Sequence, residues 1–145
     1  MFSVWMTRIA IGVAAKKLVD RLRKSGWMPQ NTYVYASLQA HRKGDLAEAV
    51  RQYRLAIKRK GLTENTELLC EILTGTIDMR KEEIEGKLEE INRKLYPPFF
   101  SKAFWRKLFR RSDRKYQELR LSKEKCLKEL KELEKLKDLL DAPSE

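Results

Sequence analysis

The 145-residue sequence predicts an all-α protein: a short helix-turn-helix hairpin with flanking helices, followed by a long antiparallel coiled-coil-like helical hairpin. Two observations carry this expectation. Apolar residues recur at three- and four-residue steps along most of the chain, the spacing that lines one face of a helix. Glycine and proline are few, and most of them stand at the junctions between those runs, at Gly26, Pro29, Gly44, Gly61 and Pro97-Pro98. Apolar residues make up 42% of the chain, which is enough for a modest core in one domain.

Residues 1–26 read as a basic amphipathic helix. Phe2, Trp5, Met6, Ile9, Val13 and Leu18 recur at helical spacing, and Arg8, Lys16, Lys17, Arg21, Arg23 and Lys24 gather elsewhere and towards an end near Ser25-Gly26. Gly12 and three alanines weaken the apolar face, so packing against the next helices competes with lying on a membrane surface. A membrane span needs about 20 mostly apolar residues, and three cations inside this stretch are too costly for one. Nothing basic precedes the apolar part, so a secretory signal fits poorly; a mitochondrial presequence stays open.

Residues 29–62 read as the hairpin. Pro29, Asn31 and Thr32 supply a break and a cap, Tyr33 to Arg42 a first helix, Lys43-Gly44-Asp45 a turn, and Leu46 to Lys60 a second helix ended by Gly61. So short a turn makes the two helices antiparallel neighbours. Gly44-Asp45-Leu46 at the turn, the small residue Ala49, the aromatic Tyr53 and the pair Ala56-Ile57 are spaced so that the hairpin resembles a single tetratricopeptide repeat. In the first helix Tyr33 falls on the aromatic position and Ser37 on the small one. Ala36 and Ala40 stand where a leucine and a tyrosine are usual, and Gly61 replaces the usual proline. No second copy follows at the same period, since Glu83 and Lys87 fall where the small and aromatic residues should recur. An isolated repeat cannot bury both faces, so flanking helices or another protein must cover it. The resemblance implies that the hairpin receives a peptide or partner helix, with Tyr33, Ser37, Ala49 and Tyr53 as its partner-binding residues.

Thr63 is expected to cap a long helix over 63–95, with Leu68, Leu69, Ile72, Leu73, Ile77, Ile84, Leu88, Ile91 and Leu95 on one side and Gly75 as a weak point. From Ile77 onward the steps form a heptad seam interrupted at Lys81. A second heptad run over 116–141 passes through Leu119, Cys126, Leu130, Leu133 and Leu140. The connection, 96–115, interleaves Phe99, Phe100, Phe104, Trp105, Leu108 and Phe109 with Lys102, Arg106, Lys107, Arg110, Arg111, Arg114 and Lys115. Aromatics beside cations suit an interfacial membrane helix or a protein contact, and Phe99, Phe100, Phe104, Trp105, Phe109, Arg106, Arg110 and Arg111 are the candidate residues. The alternative is a short helix that plugs the end of the hairpin core. A single-stranded nucleic-acid platform needs outward-facing rings along a groove, which one apolar stripe does not supply.

Lys and Arg outnumber Asp and Glu by 32 to 21, which favours anionic partners. Basic residues outnumber acidic ones 13 to 3 over 1–62 and 7 to 1 over 96–115, against 5 to 9 over 63–95 and 7 to 8 over 116–145. That alternation serves packing between segments as readily as an external polyanion. Cys70 and Cys126, 56 residues apart within helical patterns, indicate neither a metal site nor a disulfide framework, and read as small buried apolar residues in a reducing compartment. His41, the one histidine, has no ligand-spaced neighbours and reads as an exposed helical residue. Glu82, Glu83, Glu89 and Glu90 read as a solvated face, and no phosphate loop or nucleophile motif is present.

The expected function is therefore a non-enzymatic helical adaptor or scaffold without a cofactor. It would bind protein partners, cytoplasmic and peripheral on an acidic membrane surface, with homo-oligomerisation open. A nucleic-acid-binding protein using the basic patches, or a structural subunit of a larger complex, are the alternatives.

Overall fold

A computed structural model describes residues 2–25, 29–95 and 114–142. Among these residues the fold is all-α: α1 Phe2–Ser25, α2 Pro29–Arg42, α3 Leu46–Lys60, α4 Glu64–Leu95 and α5 Arg114–Asp141, with no strand. The chain divides into two compact units, Met1–Arg80 together with Leu133–Glu145, and Lys81–Glu132.

The first unit is ordered by local chemistry at its turns. Gly44, at φ +81°, takes the left-handed conformation that ends α2, and its amide donates to the His41 carbonyl. Asp45 then caps α3, accepting from the Glu48 amide at 3.1 Å. At the far end Gly61 is again at positive φ, and its amide donates to the Ile57 carbonyl. Thr63 opens α4 by a reciprocal arrangement with Thr66: the Thr66 amide donates to Thr63 Oγ1 at 3.3 Å, and the Thr63 amide donates to Thr66 Oγ1 at 2.7 Å.

One boundary differs from the sequence expectation. α2 begins at Pro29, not at Tyr33, because proline costs nothing in the first turn, where its missing amide would have no partner anyway. Asn31 and Thr32, expected to cap the helix, lie inside it. Asn31 is buried and accepts from the Asn65 side chain at 3.2 Å.

Long-range contacts set the helix directions. Asn31 meets Asn65 and His41 meets Thr76, so α2 runs parallel to the first half of α4. Arg21 bonds Asn65 at 2.9 Å, while a Cβ on Gly75 would lie 3.2 Å from Ile11, so α1 runs antiparallel to α4. It follows that α1 and α2 are antiparallel as well. Gly75, expected to be a weak point, is an approach point: the helix continues through it, and the missing side chain lets Ile11 come close. The core is Leu18, Val34, Val50, Tyr53, Leu69, Ile72, Leu73 and Ile77, each at most 2% exposed, closed by Leu133 and Leu140 of the last turns of α5.

In the second unit, covered side chains recur on heptad positions. They include 81, 84, 88, 91 and 95 on α4, and 116, 119, 123, 126 and 130 on α5, at alternating steps of three and four, with Asn92 covered beside the seam. Ile84 and Leu95 are the buried ones. Lys81 and Lys123 occupy seam positions and are half-buried, as a lysine can be when its methylene stem lies along apolar surface and its ammonium reaches water.

Candidate partner-binding groove

The hairpin crossing is made of small residues. Ser37 and Ala49 are fully buried, and Ser37 Oγ donates to the Ala49 carbonyl at 2.6 Å, which satisfies the hydroxyl and holds α2 close to α3. Tyr53 is 2% exposed. Burial pushes its phenol well above the ordinary range, and the neighbouring Cys70 thiol pushes the same way. Three of the four residues expected to meet a partner, Ser37, Ala49 and Tyr53, are thus consumed inside the protein, and Tyr33 is half-buried. These side chains are part of the core, and the open surface nearby is made by other residues.

That surface is an open groove of about 810 Å³ between α1 and α2. Ala15, Val19 and Leu22 of α1 face Tyr35 and Leu38 of α2 across it. Tyr35 is 55% exposed although it is a large aromatic side chain. Lys16 and Arg23 stand on the α1 side, Arg42 on the α2 side, and Asp20 is the one acidic side chain in the lining. Gly12 leaves the upper part open, since nothing lies within 4 Å of where its Cβ would be.

His41 also lines the groove, and it is not the exposed residue expected from the sequence. It is half-buried, with Nε2 2.7 Å from the Thr76 hydroxyl. Burial lowers its pKa below the ordinary 6.5, and the Arg80 charge lowers it further. The ring is held neutral, which suits a structural hydrogen bond across the α2–α4 contact.

Gln30 is the residue that sequence reasoning missed altogether. Its Nε2 donates to the Ala56 carbonyl at 3.0 Å and to the Gly61 carbonyl at 2.9 Å, and its Oε1 accepts from Thr63 at 3.0 Å. One side chain at 5% exposure therefore ties the start of α2 to the end of α3 and the entry of α4. Its partners lie 26 to 33 residues along the chain, so no local pattern marks it.

A second open groove, of about 800 Å³, lies between α3 and the last turns of α5. Val50, Leu55, Ile57, Leu136 and Leu139 line it, with Arg51, Arg54 and Lys58 at its edge. Two of these cations are engaged: Arg51 with Glu48 at 2.6 Å, and Arg54 with the Leu139 carbonyl.

Both cysteines are free and half-buried, not fully covered as expected; Cys70 lies 3.8 Å from the Thr74 hydroxyl. The expected membrane or partner contact, Phe99, Phe100, Phe104, Trp105, Arg106, Phe109, Arg110 and Arg111, lies outside the described residues. Among the described residues no cluster of His, Cys, Asp and Glu has metal-binding geometry, and no helix is long and apolar enough to cross a membrane. Comparison with protein families, curated proteins and solved structures finds no match to this chain.

Proposed function

We propose that the chain is a non-enzymatic helical adaptor and that its α1/α2 groove takes an amphipathic helix of a partner protein, apolar on one face and acidic along the flanks. The observation that supports this reading is the groove itself: an apolar floor with three cations at its edges against one carboxylate. An incoming apolar stripe would cover Val19, Leu22 and Tyr35, and acidic flanks would meet Lys16, Arg23 and Arg42. A second copy of the chain suits the groove poorly, because it brings the same cations and a formal charge of +11. The resemblance of the hairpin to a tetratricopeptide repeat supports a helix-receiving role as well.

The test is fluorescence anisotropy with a labelled amphipathic peptide that has a leucine stripe and glutamate flanks, beside the same peptide with lysine flanks. The glutamate peptide binds and the lysine peptide does not. Ala15→Trp, which fills the floor, abolishes binding, and Arg42→Glu weakens it. Equal binding of both peptides, or indifference to Ala15→Trp, refutes the proposal; displacement by a random single-stranded oligonucleotide with the peptide left bound nowhere else would move the groove to nucleic acid.

A further inference from the structure

α1 has two apolar faces, and the groove and core use only one side of it. Leu18 is fully buried, Thr7, Ile11, Ala14 and Leu22 are half-buried on the same side, and Ile11 seats over Gly75. Turned away from that side, Met6, Ile9 and Val13 are 51%, 46% and 64% exposed. At 100° per residue these three fall within one narrow sector opposite Leu18. The stripe from Met6 to Val13 is about 10 Å long at 1.5 Å per residue.

The charges around the stripe are of one sign. Lys16 and Lys17 are exposed and stand on either side of its axis one turn beyond Val13, Arg23 and Lys24 follow, and no acidic residue occurs before Asp20. A folded protein that keeps a contiguous apolar strip in water does so where something covers it. The convex side of a single helix, with apolar residues at one end and cations next to them, matches the geometry of an acyl and headgroup boundary.

We infer that the outer face of α1 is a docking surface for an anionic lipid membrane, on which the helix lies flat with Met6, Ile9 and Val13 at the acyl boundary and Lys16 and Lys17 among the headgroups. The apolar residues Met6, Ile9 and Val13 are not in the groove lining, although Lys16 borders both surfaces. Because α1 is anchored to α4 through Ile11 and Gly75 and through the Arg21 contacts to Glu64 and Asn65, docking needs no unfolding of the core.

Vesicle co-sedimentation of the full chain tests this, with pure phosphatidylcholine and with phosphatidylglycerol mixed in. The connection between α4 and α5 is itself aromatic and basic, so the measurement is made in a Trp105→Ser, Phe109→Ser background as well as in the parent chain. The double-serine chain still partitions to acidic vesicles and much less to neutral ones. Adding Ile9→Glu and Val13→Glu lowers partition roughly a hundredfold, by loss of two buried aliphatic side chains. Leucine at both positions keeps it, and Lys17→Ala lowers it about fivefold. Both glutamates stand at exposed positions, and an unchanged thermal unfolding curve checks that they leave the fold intact. The inference is overturned if the Trp105→Ser, Phe109→Ser chain no longer partitions, or if the Ile9→Glu, Val13→Glu variant partitions as its parent does.

Discussion

The Thr76 hydroxyl accepts from His41 Nε2 at 2.7 Å while donating its own proton to the Ile72 carbonyl at 2.9 Å. A hydroxyl has one proton, so its engagement with Ile72 makes the histidine the donor and fixes the neutral ring as the Nε2–H tautomer. Acid must then protonate Nδ1, on a ring that is half-buried and faces the Arg80 charge, with Arg42 on its own helix and Lys16, Asp20 and Arg23 of α1 lining the same groove.

A pH dependence follows. Burial and Arg80 lower the folded-state pKa of His41 below its unfolded value near 6.5. Its contribution to stability is complete above that value and is lost as pH falls from there through the lower folded value. Urea midpoints of the parent chain should drop between pH 7.5 and 5.5, and His41→Gln should be flat over the same interval. Parallel slopes for the two proteins would show that the ring is not the source.

Glu48 produces a second, more acidic limb. Arg51 donates twice to its carboxylate, at 2.9 and 2.6 Å, and Gln52 once, at 2.8 Å. These hydrogen bonds, Arg51 foremost, bring its pKa from the usual 4.5 to about 2. A depressed carboxylate stabilises the fold above the unfolded value and loses that contribution as pH falls from about 4.5 to about 2. The stability difference between the parent and Glu48→Gln should be constant near neutrality and close over that window. A difference that persists undiminished at pH 2 would contradict it.

Gln30 concentrates three hydrogen bonds in one buried amide, and one of its two partner carbonyls, Gly61, lies just past the end of α3, beyond the intrahelical donors. Gln30→Leu keeps the volume but strands those groups and should cost about 1–3 kcal/mol in chemical denaturation. Gln30→Glu should cost more, since it places a carboxylate against the Ala56 and Gly61 carbonyls. A glutamate variant as stable as the parent at neutral pH would remove Gln30 from this role.

What could be read in advance and what could not differ by range along the chain. Gly44, Asp45, Gly61 and Thr63 act on residues within four positions, and their turn and cap roles were legible from side-chain chemistry alone. Gln30 and His41 act on partners 26 to 35 residues away, so nothing near them in the chain announces their roles. The groove is of the second kind. It exists because α1 settles on α4 at Gly75, a residue that looks like a weak point in one dimension and is an approach point in three. The spacing of Ala49 and Tyr53 was legible as apolar helix pattern, but the pattern cannot tell a residue covered by its own chain from one kept for a partner, and both are buried.

The Gly75 contact can be tested as a coupling. A Cβ there would meet Ile11 Cγ1 at 3.2 Å and Cδ1 at 3.3 Å. Gly75→Ala gains up to about 1 kcal/mol of helix propensity and loses much of it by pushing Ile11, so the single change should be close to neutral. In an Ile11→Ala background the obstacle is gone and the full gain should be realised, giving a favourable coupling of about 0.5 kcal/mol or more in a double-mutant cycle. Additive effects would mean that α1 does not press on α4 at this point.

The last turns of α5 supply the comparison between an ion pair and a buried side chain in one short segment. Lys137 and Asp78 form a 2.9 Å ion pair, but their side chains are 38% and 50% exposed, and Lys137 is shifted upward by its hydrogen bond to Asp78 in a setting open to solvent. Exposed pairs contribute little, and salt screens them. Leu140, three residues on, is 5% exposed. Removing a buried leucine side chain costs about 2–5 kcal/mol. Leu140→Ala should therefore lower the urea midpoint well beyond Lys137→Ala, and only the lysine effect should shrink in added salt. The reverse order would mean that charge, not burial, holds this segment.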